Sequence, residues 1–345
     1  MKVAIIGATG YGGIELIRLL EQHPYFSIAS LHSFSQVGEC ITNVYPHFQN
    51  VFVHTLQEID AEEIVKEAEI VFLATPAGVS AELTPKLLAV GLKVIDLSGD
   101  FRMKDPLIYE QWYKRTAAKE EVLREAVYGL SEWKRSEIQN ANLIANPGCF
   151  ATAALLAILP LVCSGIIEED SIIIDAKSGV SGAGKTPTTM THFPELYDNL
   201  RIYKVNEHQH VPEIEQMLAE WNRETKPITF STHLIPISRG IMITLYAKVK
   251  REMEREQFQK IYEETYEQSA FIRIRTQGEF PSPKEVRGSN YCDMGVAYDE
   301  RTGRVTVVSV IDNMMKGAAG QAIQNANIVA GLEETTGLQH MPLYL

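Results

Sequence analysis

The first 145 residues alternate short apolar runs with segments of helical periodicity. The apolar runs are rich in β-branched residues and have the length of buried strands, and turn residues follow them. Strands that alternate with helices favour a parallel sheet covered on both faces, which is a doubly wound α/β Rossmann fold. The predicted strands lie at 2–6, 27–32, 69–74, 93–97 and 142–145, and helical cover is expected at 105–140.

The pattern changes character after residue 148. An apolar, Ala-rich run at 150–159 predicts a buried helix, and a polar amphipathic helix is expected at 252–269. Further strands are predicted at 171–177, 228–236, 241–249 and 304–311, and residues 192–203 are expected to be loop. We therefore assign 149–313 to a second domain. Residues 314–345 are assigned with 1–148 to the first domain, because the small residues at 317–322 would let the last helix pack closely against it.

Composition narrows the class of protein. The chain has 345 residues, 45% of them hydrophobic and 22% charged, which is enough for two cores. A formal net charge of -12 argues against a nucleic-acid or anionic-membrane partner. The four cysteines lack paired spacing, no apolar run is long enough to span a membrane, and the N-terminus enters a strand directly. We expect a cytoplasmic protein without a bound metal that meets anions with local positive groups.

A glycine-rich turn joins the first predicted strand to the first predicted helix. Gly7 would allow a tight turn, Gly10 would let the backbone approach a pyrophosphate, and Gly13 would let the helix pack close to its strand. Glycine-rich turns often only reverse the chain, but this position favours a dinucleotide site. The expected cofactor contacts are Gly7, Thr9, Gly10, Tyr11, Gly12 and Gly13.

The end of the second predicted strand bears on the choice between NAD and NADP. An NAD enzyme usually places Asp or Glu there to bind the ribose hydroxyl. Residues 32–36 read HSFSQ, with neither an acid nor a Lys or Arg. Ser33 and Ser35 could donate hydrogen bonds to a 2′-phosphate, so the sequence predicts NADP.

Cys149 lies between the turn 146–148 and the predicted apolar helix. Unpaired N–H groups and the dipole at a helix N-terminus favour a thiolate, and the same groups could hold an oxyanion. A lone Cys beside an apolar helix is more often a core residue, and Cys40, Cys163 and Cys292 are interpreted in that way. The polar groups found elsewhere in the chain favour a catalytic role for Cys149.

Three cations and two histidines lie at the ends of predicted elements. Arg102, Lys185 and Arg239 are each either surface charges or anion-binding groups. His208 and His210 come just before a predicted helix, and no third ligand with zinc-site spacing accompanies them. With a thiolate to serve, one of these histidines becomes a candidate general acid/base.

Seven segments, taken in order, resemble the N-acetyl-γ-glutamyl-phosphate reductases of arginine biosynthesis, which are relatives of aspartate-semialdehyde dehydrogenase. The segments are GATGYGG at 7–13, DLSGDFR at 96–102, NPGCFATA at 146–153, SGVSGAGK at 178–185, HQHVPEIEQ at 208–216, HLIPISRGI at 233–241 and DNMMKGAAGQAIQN at 312–325. The resemblance implies a Rossmann NADP domain and an α+β mixed-sheet domain that carries the contact of a homodimer or homotetramer. The basic residue that the family often has after its second strand is replaced by Phe34.

The resemblance also implies residue roles. Cys149 is the nucleophile, His208 the acid/base, and Asn313 lies near the nicotinamide. The loop 178–185 lies there too, with cofactor contacts expected from Ser178, Gly179, Ser181 and Gly182. The expected substrate contacts are Asn146, Arg102, Lys185, His210, Glu213 and Arg239, and His210 and Glu213 could instead orient His208.

The implied reaction is the NADPH-dependent reduction of N-acetyl-γ-glutamyl phosphate to N-acetylglutamate 5-semialdehyde, with release of phosphate and a thioester on Cys149. Aspartate-semialdehyde dehydrogenase, with a shorter substrate, is the nearest alternative, and the segment PGCFAT in place of an Asn-Cys pair speaks against it. A non-catalytic NADP-sensing protein is a second alternative. It would leave Cys149 a buried core residue.

Overall fold

The chain divides after Pro147 and again after Gly317. A computed structural model describes all 345 residues, and Met1–Pro147 with Ala318–Gln339 forms one unit while Gly148–Gly317 with His340–Leu345 forms the other. The sequence places these divisions after 148 and after 313 and gives the whole C-terminus to the first unit. The structure differs because Gly317 packs on Cys149 and because Leu343 packs on Gly288, both within the second unit.

The first unit is organised on a parallel sheet of seven strands in the order β3-β2-β1-β4-β5-β7-β6. The central strands are buried on both faces, which explains their continuous apolar sequences. The strands are β1 Lys2–Ile6, β2 Ser27–His32, β3 Leu56–Gln57, β4 Ile70–Leu73, β5 Lys93–Asp96, β6 Val127–Tyr128 and β7 Leu143–Ala145. This is the doubly wound architecture that the sequence predicts.

The helices of the first unit begin where local chemistry directs them. The Asp60 side chain accepts a hydrogen bond from the Glu62 N–H, and Asp105 does the same for Leu107, with Pro106 as the first helical residue. The helices are α1 Tyr11–Leu20, α2 Ile41–Val44, α3 Ala61–Glu67, α4 Val79–Ala89, α5 Pro106–Tyr113, α6 Glu120–Glu125, α7 Ser131–Gln139 and α12 Gly320–Val329. The two-residue strand β6 lies within the segment predicted to be helical only.

The second unit holds a mixed sheet of seven strands in the order β12-β13-β14-β11-β8-β10-β9. Its strands are β8 Ile173–Ser178, β9 Arg201–Tyr203, β10 Thr229–Leu234, β11 Ile241–Lys248, β12 Ile272–Ile274, β13 Cys292–Asp299 and β14 Arg304–Ile311. Its helices are α8 Cys149–Cys163, α9 Phe193–Leu196, α10 His210–Trp221 and α11 Arg255–Tyr266. The combination of a doubly wound unit with a mixed-sheet α+β unit is confirmed.

The core of the second unit forms between α8 and one face of the sheet. Helix α8 is buried around its whole circumference from Phe150 to Val162, and the Tyr262 and Tyr266 hydroxyls of α11 donate to its backbone carbonyls. Alternate residues of the strands point to the other face, where they are only partly buried. We call this the open sheet face, and its residues are Ile173, Asp175, Lys177, Ser231, His233, Met242, Thr244, Tyr246, Thr306 and Val308.

Two expectations for the second unit are wrong. Residues 192–203 are not loop throughout, since they contain α9 and the edge strand β9, which pairs antiparallel with β10. The long strand β13 and the short strand β12 are absent from the sequence prediction. β13 carries two Asp and a Gly, which are uncommon in strands, and its pairing with β14 along eight residues overrides that preference.

No helix combines the length and the apolar character needed to cross a membrane.

Two buried carboxyl groups hold the segment after β5. Asp100 accepts hydrogen bonds from the Gly78 and Ala81 N–H groups at the start of α4, and Asp96 accepts them from Ser98. Both side chains are fully buried. Burial, together with the charge of Asp100, raises the pKa of Asp96 to about 6.

The substitution Asp96→Asn is expected to remove a pH-dependent loss of folding stability. Because the pKa of Asp96 is raised above its ordinary value of 3.8, the folded state holds this proton more tightly than the unfolded state. The ionised form therefore destabilises the fold above about pH 6, and this cost disappears as the pH falls towards about 4. Wild type should gain roughly 2 kcal/mol relative to Asp96→Asn between about pH 7.5 and about pH 4.5, measured by urea unfolding. An equal stability difference at both pH values would contradict the raised pKa.

Candidate active site

The glycine-rich turn of the first unit needs two of its glycines for steric reasons. Gly7 has φ of 87°, and an ideal Cβ there would lie 2.4 Å from the Ala74 carbonyl oxygen. A Cβ at Gly13 would lie 2.4 Å from the Gly7 carbonyl oxygen. The tight turn and the close approach of helix and strand are therefore both present, as the sequence predicts.

Gly10 and Gly12 are not explained by packing within the protein. Ideal Cβ atoms at these positions would make only ordinary contacts, with nearest atoms at 3.6 and 3.7 Å. Gly10 is the N-cap of α1 and offers no side-chain cap, while Tyr11 is exposed in the first turn and the Thr9 carbonyl accepts the Tyr45 hydroxyl. A helix N-terminus with this open space fits the approach of a cofactor pyrophosphate.

The structure separates the two serines after β2. Ser33 is buried, and its backbone N–H bonds to the Gln57 carbonyl, whereas Ser35 and the neighbouring Phe34 are exposed. Of the predicted 2′-phosphate donors, only Ser35 thus presents its side chain to solvent.

Cys149 is the first residue of α8, and Gly148 is the N-cap. The Gly148 N–H donates to Oε1 of the fully buried Glu213 at 2.8 Å, and the Gly148 carbonyl accepts from the Thr152 N–H. Cys149 itself is only partly buried, unlike Phe150–Val162, and Cys163 at the end of the helix is exposed, so the expectation that Cys163 is a core residue is wrong. A thiol at this position receives the field of the helix N-terminus that favours the thiolate.

Two further glycine positions define the walls around Cys149. An ideal Cβ at Gly148 would lie 2.2 Å from His210 Nε2, so the imidazole of His210 occupies the space beside the turn 146–148 that precedes Cys149. A Cβ at Gly317 would lie 2.8 Å from the Cys149 Cβ. Gly317 lies in the π-helical turn Met315–Ala319, and such turns are frequent at functional sites.

His208 lies in an aromatic environment next to His210. Its Nδ1 accepts the His210 backbone N–H at 3.1 Å, and its ring packs edge-on against Phe150 and Tyr203. Burial, and then the neighbouring His210 and Lys204, lower the pKa of His208 to about 2. His208 is therefore neutral at every physiological pH.

Asn313 links the loop 178–185, which we call the Gly-Ser loop, to the turn before β11. Its Oδ1 accepts the Gly240 N–H at 2.7 Å, and its Nδ2 donates to Ser181 Oγ at 2.9 Å. The Gly179 and Ser181 N–H groups donate to the carbonyls of Gly240 and Ser238, while Ser178 Oγ donates to the Gly179 carbonyl. The first half of the loop is thus fixed by the protein. Gly182 and Lys185, in its second half, are exposed.

The predicted cations occupy different environments. Arg239 Nε lies 3.2 Å from the buried carboxylate of Asp312, in the same unit as Cys149. Arg102 is buried in the first unit, where Nε donates to the Asn146 carbonyl and Nη2 to the Leu97 carbonyl.

Asn146 is also engaged within the first unit. Its Nδ2 donates to the Ala318 carbonyl at 3.1 Å, and its Oδ1 accepts from Asn325 Nδ2 at 3.1 Å. These bonds fix the end of β7 immediately before the turn that leads to Cys149. Nowhere does the structure gather three or more His, Cys, Asp or Glu side chains in a metal-binding arrangement.

Sequence reasoning misses Tyr203, Asp312 and Gly317. Tyr203 packs edge-on against the His208 ring, and burial, followed by the charge of Cys149, raises the pKa of Tyr203. Tyr203 lies in the segment predicted to be loop, so no periodic signal indicates it. Asp312 directly precedes Asn313 and is identified only by its contact with Arg239, and Gly317 is brought to Cys149 within the π-helical turn.

Comparison with known families shows that the two units match two domains of one family. A family model described as "Semialdehyde dehydrogenase, NAD binding domain" matches residues 2–141, and one described as "Semialdehyde dehydrogenase, dimerisation domain" matches 149–313. The chain belongs to the semialdehyde dehydrogenase family. Relatives within this family include proteins named N-acetyl-gamma-glutamyl-phosphate reductase from Bacillus cereus and Bacillus anthracis, each 95% identical over 345 residues, which is 100% of both chains.

Solved structures of semialdehyde dehydrogenases share the fold. Aspartate semialdehyde dehydrogenase II from Vibrio cholerae, complexed with ASA, matches with a TM-score of 0.72 at 20% identity and covers 96% of this chain and 98% of its own. The Candida albicans aspartate semialdehyde dehydrogenase with NADP matches with a TM-score of 0.70 at 18% identity over 95% and 98% of the two chains. At these identities the likeness supports the fold alone.

Gly10→Ala and Gly13→Ala are expected to separate cofactor binding from folding. A methyl group at Gly10 meets no close protein atom, so this variant should fold with at most about 1 kcal/mol lost and bind NADPH at least roughly tenfold more weakly. A methyl group at Gly13 meets the Gly7 carbonyl, so that variant should lose about 2 kcal/mol or more of stability. Thermal unfolding and NADPH fluorescence titration measure the two effects. Wild-type affinity in Gly10→Ala would disprove the approach of the pyrophosphate at this position.

Proposed function

We propose that this protein catalyses the NADPH-dependent reduction of N-acetyl-γ-glutamyl phosphate to N-acetylglutamate 5-semialdehyde and phosphate, the third step of arginine biosynthesis from glutamate, in the cytoplasm. The observation that carries the proposal is the 95% identity, over the full length, to curated proteins named for this activity. Cys149 at the start of α8, with His210 beside its turn, supplies the chemistry that the reaction needs. The likeness to aspartate-semialdehyde dehydrogenase, at 20% identity, extends to the fold only and does not bear on the substrate.

In this proposal Cys149 is the nucleophile. Its thiolate, favoured by the N-terminus of α8, attacks the acyl carbon, the carbon–oxygen bond to phosphate breaks, and a thioester forms. The first-turn N–H groups of the helix stabilise the oxyanion that develops during the attack. The reduced nicotinamide, when bound, would supply the hydride. Cleavage of the carbon–sulfur bond then releases the aldehyde and returns the Cys149 thiolate.

The two histidines divide the proton chemistry. His210 Nε2 lies where a side chain at Gly148 would be, so we assign proton transfer beside Cys149 to His210. His208 is neutral and accepts the His210 N–H, which makes it a positioning residue at the start of α10. This assignment reverses the preference for His208 that the sequence resemblance gives.

Glu213 is assigned a positioning role rather than a substrate contact. Its carboxylate is fully buried and holds the Gly148 N–H at 2.8 Å. His210 and Glu213 are separated by one helical turn of α10, so the same rigid element positions the acid/base and the nucleophile turn.

Substrate anions are assigned to Arg239 and Lys185, which lie in the same unit as Cys149. Arg239 is held at Nε by buried Asp312, and its guanidinium carries a fixed positive charge that attracts a carboxylate or phosphate. Lys185 is exposed at the end of the Gly-Ser loop and supplies a second positive charge. Arg102, buried against the Asn146 carbonyl, acts in this proposal by holding the strand end before the turn.

The cofactor is proposed to be NADP, with the turn Gly7–Gly13 on the pyrophosphate and Ser35 available to the 2′-phosphate. The open space at Gly10 and the absence of Asp or Glu in 32–36 support this choice. The structure with NADP from Candida albicans supports the same class of cofactor for the fold.

We also propose that the protein is a homodimer, or a tetramer built from such dimers, that associates through the open sheet face. The matching description "dimerisation domain" for 149–313 supports this location. The face carries the partly exposed apolar residues Ile173, Met242 and Tyr246, and its charged residues Asp175 and Lys177 neutralise each other at 2.7 Å. Such a surface is suited to contact between protomers.

Cys149→Ala is expected to abolish turnover in the reverse reaction. With N-acetylglutamate 5-semialdehyde, phosphate and NADP, wild type should form NADPH in a phosphate-dependent manner, and the variant should lose at least about 10³-fold because no thioester can form. The absorbance band of NADPH measures the rate, and replacing NADP with NAD gives the preference between them. Activity that survives in Cys149→Ala, or turnover only with aspartate semialdehyde, would overturn the mechanism or the substrate respectively.

His210→Asn and His208→Asn are expected to differ in kind. Loss of proton transfer should lower kcat of His210→Asn by roughly 10²-fold or more with little change in KM. His208→Asn should reduce kcat less and leave the pH dependence of kcat unchanged, because burial and the neighbouring His210 lower the pKa of His208 to about 2, far below the pH range of the assay. If a limb of the pH profile disappears in His208→Asn and persists in His210→Asn, the two roles are the other way round.

A further inference from the structure

Residues 190–205 expose an unusual number of apolar side chains. Met190, Phe193, Tyr197, Leu200, Ile202 and Val205 are between 43% and 69% exposed. The Phe193 and Tyr197 rings stack with centroids 5.0 Å apart, which presents a preformed aromatic pair to solvent. We call residues 190–205 the apolar strap. A cluster of exposed apolar residues of this kind marks an interaction surface.

The apolar strap is continuous with the open sheet face. Its strand β9 is the edge strand beside β10, and Ile202 lies opposite His233 in the pairing. Residues opposite each other in a ladder point to the same side of a sheet, so Ile202 extends the face on which His233 lies. The Thr232 hydroxyl donates to the Tyr203 carbonyl and fixes the end of the strap to the sheet.

The charge of the strap favours contact with a second copy of itself or of the sheet face. Within 190–205 the acids Glu195 and Asp198 balance the bases Arg201 and Lys204, so the segment is neutral in a chain of net charge -12. A neutral apolar surface avoids the like-charge repulsion that the rest of the acidic surface would give between two copies. The dimerisation family model also covers the whole segment.

The strap is connected at both ends to the candidate active site. It follows the loop that Ser181 ties to Asn313, and it leads into His208 and His210. Tyr203, near its end, packs edge-on against the His208 ring, with ring centroids 5.9 Å apart. A contact that orders the strap would therefore also order Tyr203 and the neighbouring His208.

We propose that the apolar strap docks on the partner protomer and that this docking couples assembly to activity. The inference rests on the homodimer and the reductase activity proposed above. Phe193, Tyr197 and Leu200 are the anchors, and Tyr203 transmits their fixed position to His208. A protomer without its partner has an intact Cys149 but a poorly ordered acid/base neighbourhood.

The test uses the triple variant Phe193→Ser, Tyr197→Ser, Leu200→Ser in the full chain. Its matched control is Val51→Ser, Val53→Ser, Leu107→Ser, which removes three apolar side chains, 65–72% exposed, from the first unit. Light scattering after size exclusion gives the mass over a range of protein concentrations, and the NADPH assay gives kcat at the same concentrations. Near-ultraviolet circular dichroism shows whether the triple variant keeps its tertiary structure. The single variant Phe193→Glu tests the same surface with one substitution, in case the triple variant does not fold.

The strap variant is expected to dissociate at protein concentrations at least about 100-fold higher than wild type, while the control behaves as wild type. Its kcat should fall roughly tenfold under conditions where it is monomeric and recover as concentration restores the dimer. A strap variant that stays dimeric and fully active would overturn the strap proposal and leave the homodimer standing. A strap variant that is monomeric yet fully active would overturn the coupling. A wild-type chain that is monomeric and active would overturn the homodimer and the strap together.

Discussion

The hydrogen bond from the Gly148 N–H to Glu213 is the constraint on which the candidate active site depends. It joins the N-cap of the nucleophile helix to the interior of α10, and both groups are removed from water. A buried carboxylate is costly unless its acceptors are used, so this contact determines where α10 can lie. With that helix fixed, the His210 imidazole fills the space left by the missing side chain of Gly148. The position of Cys149 and the position of its neighbour therefore have one physical origin.

The cofactor turn could be predicted from the sequence because its chemistry is local. Gly7 and Gly13 are needed for a positive φ and a close helix approach, and both requirements act over a few residues. The choice between His208 and His210 could not be predicted in this way. Both lie just before the same helix in sequence, and only the placement of α10 against Gly148 distinguishes a ring beside the nucleophile from one among aromatic neighbours.

The missed strands have a different cause. β9 is only three residues long, which is too short to give a periodic pattern although Ile202 and Tyr203 favour strands, and β13 contains Asp and Gly, which are uncommon in strands. β9 pairs with β10, which lies distant in sequence, and β13 pairs with β14 across a short turn. Each segment is a strand because of this pairing. The apolar strap could be recognised only after β9 was located, because the same residues in a predicted loop carry no information about which side of a sheet they extend.

The arrangement of α10 has a consequence for how two parts of the candidate site can move. One helix carries both His210 and the carboxylate that holds the Gly148 N–H, so a shift of that helix displaces the imidazole and the turn before Cys149 together. The two positions are therefore coupled mechanically, and no displacement of α10 adjusts one of them while leaving the other in place.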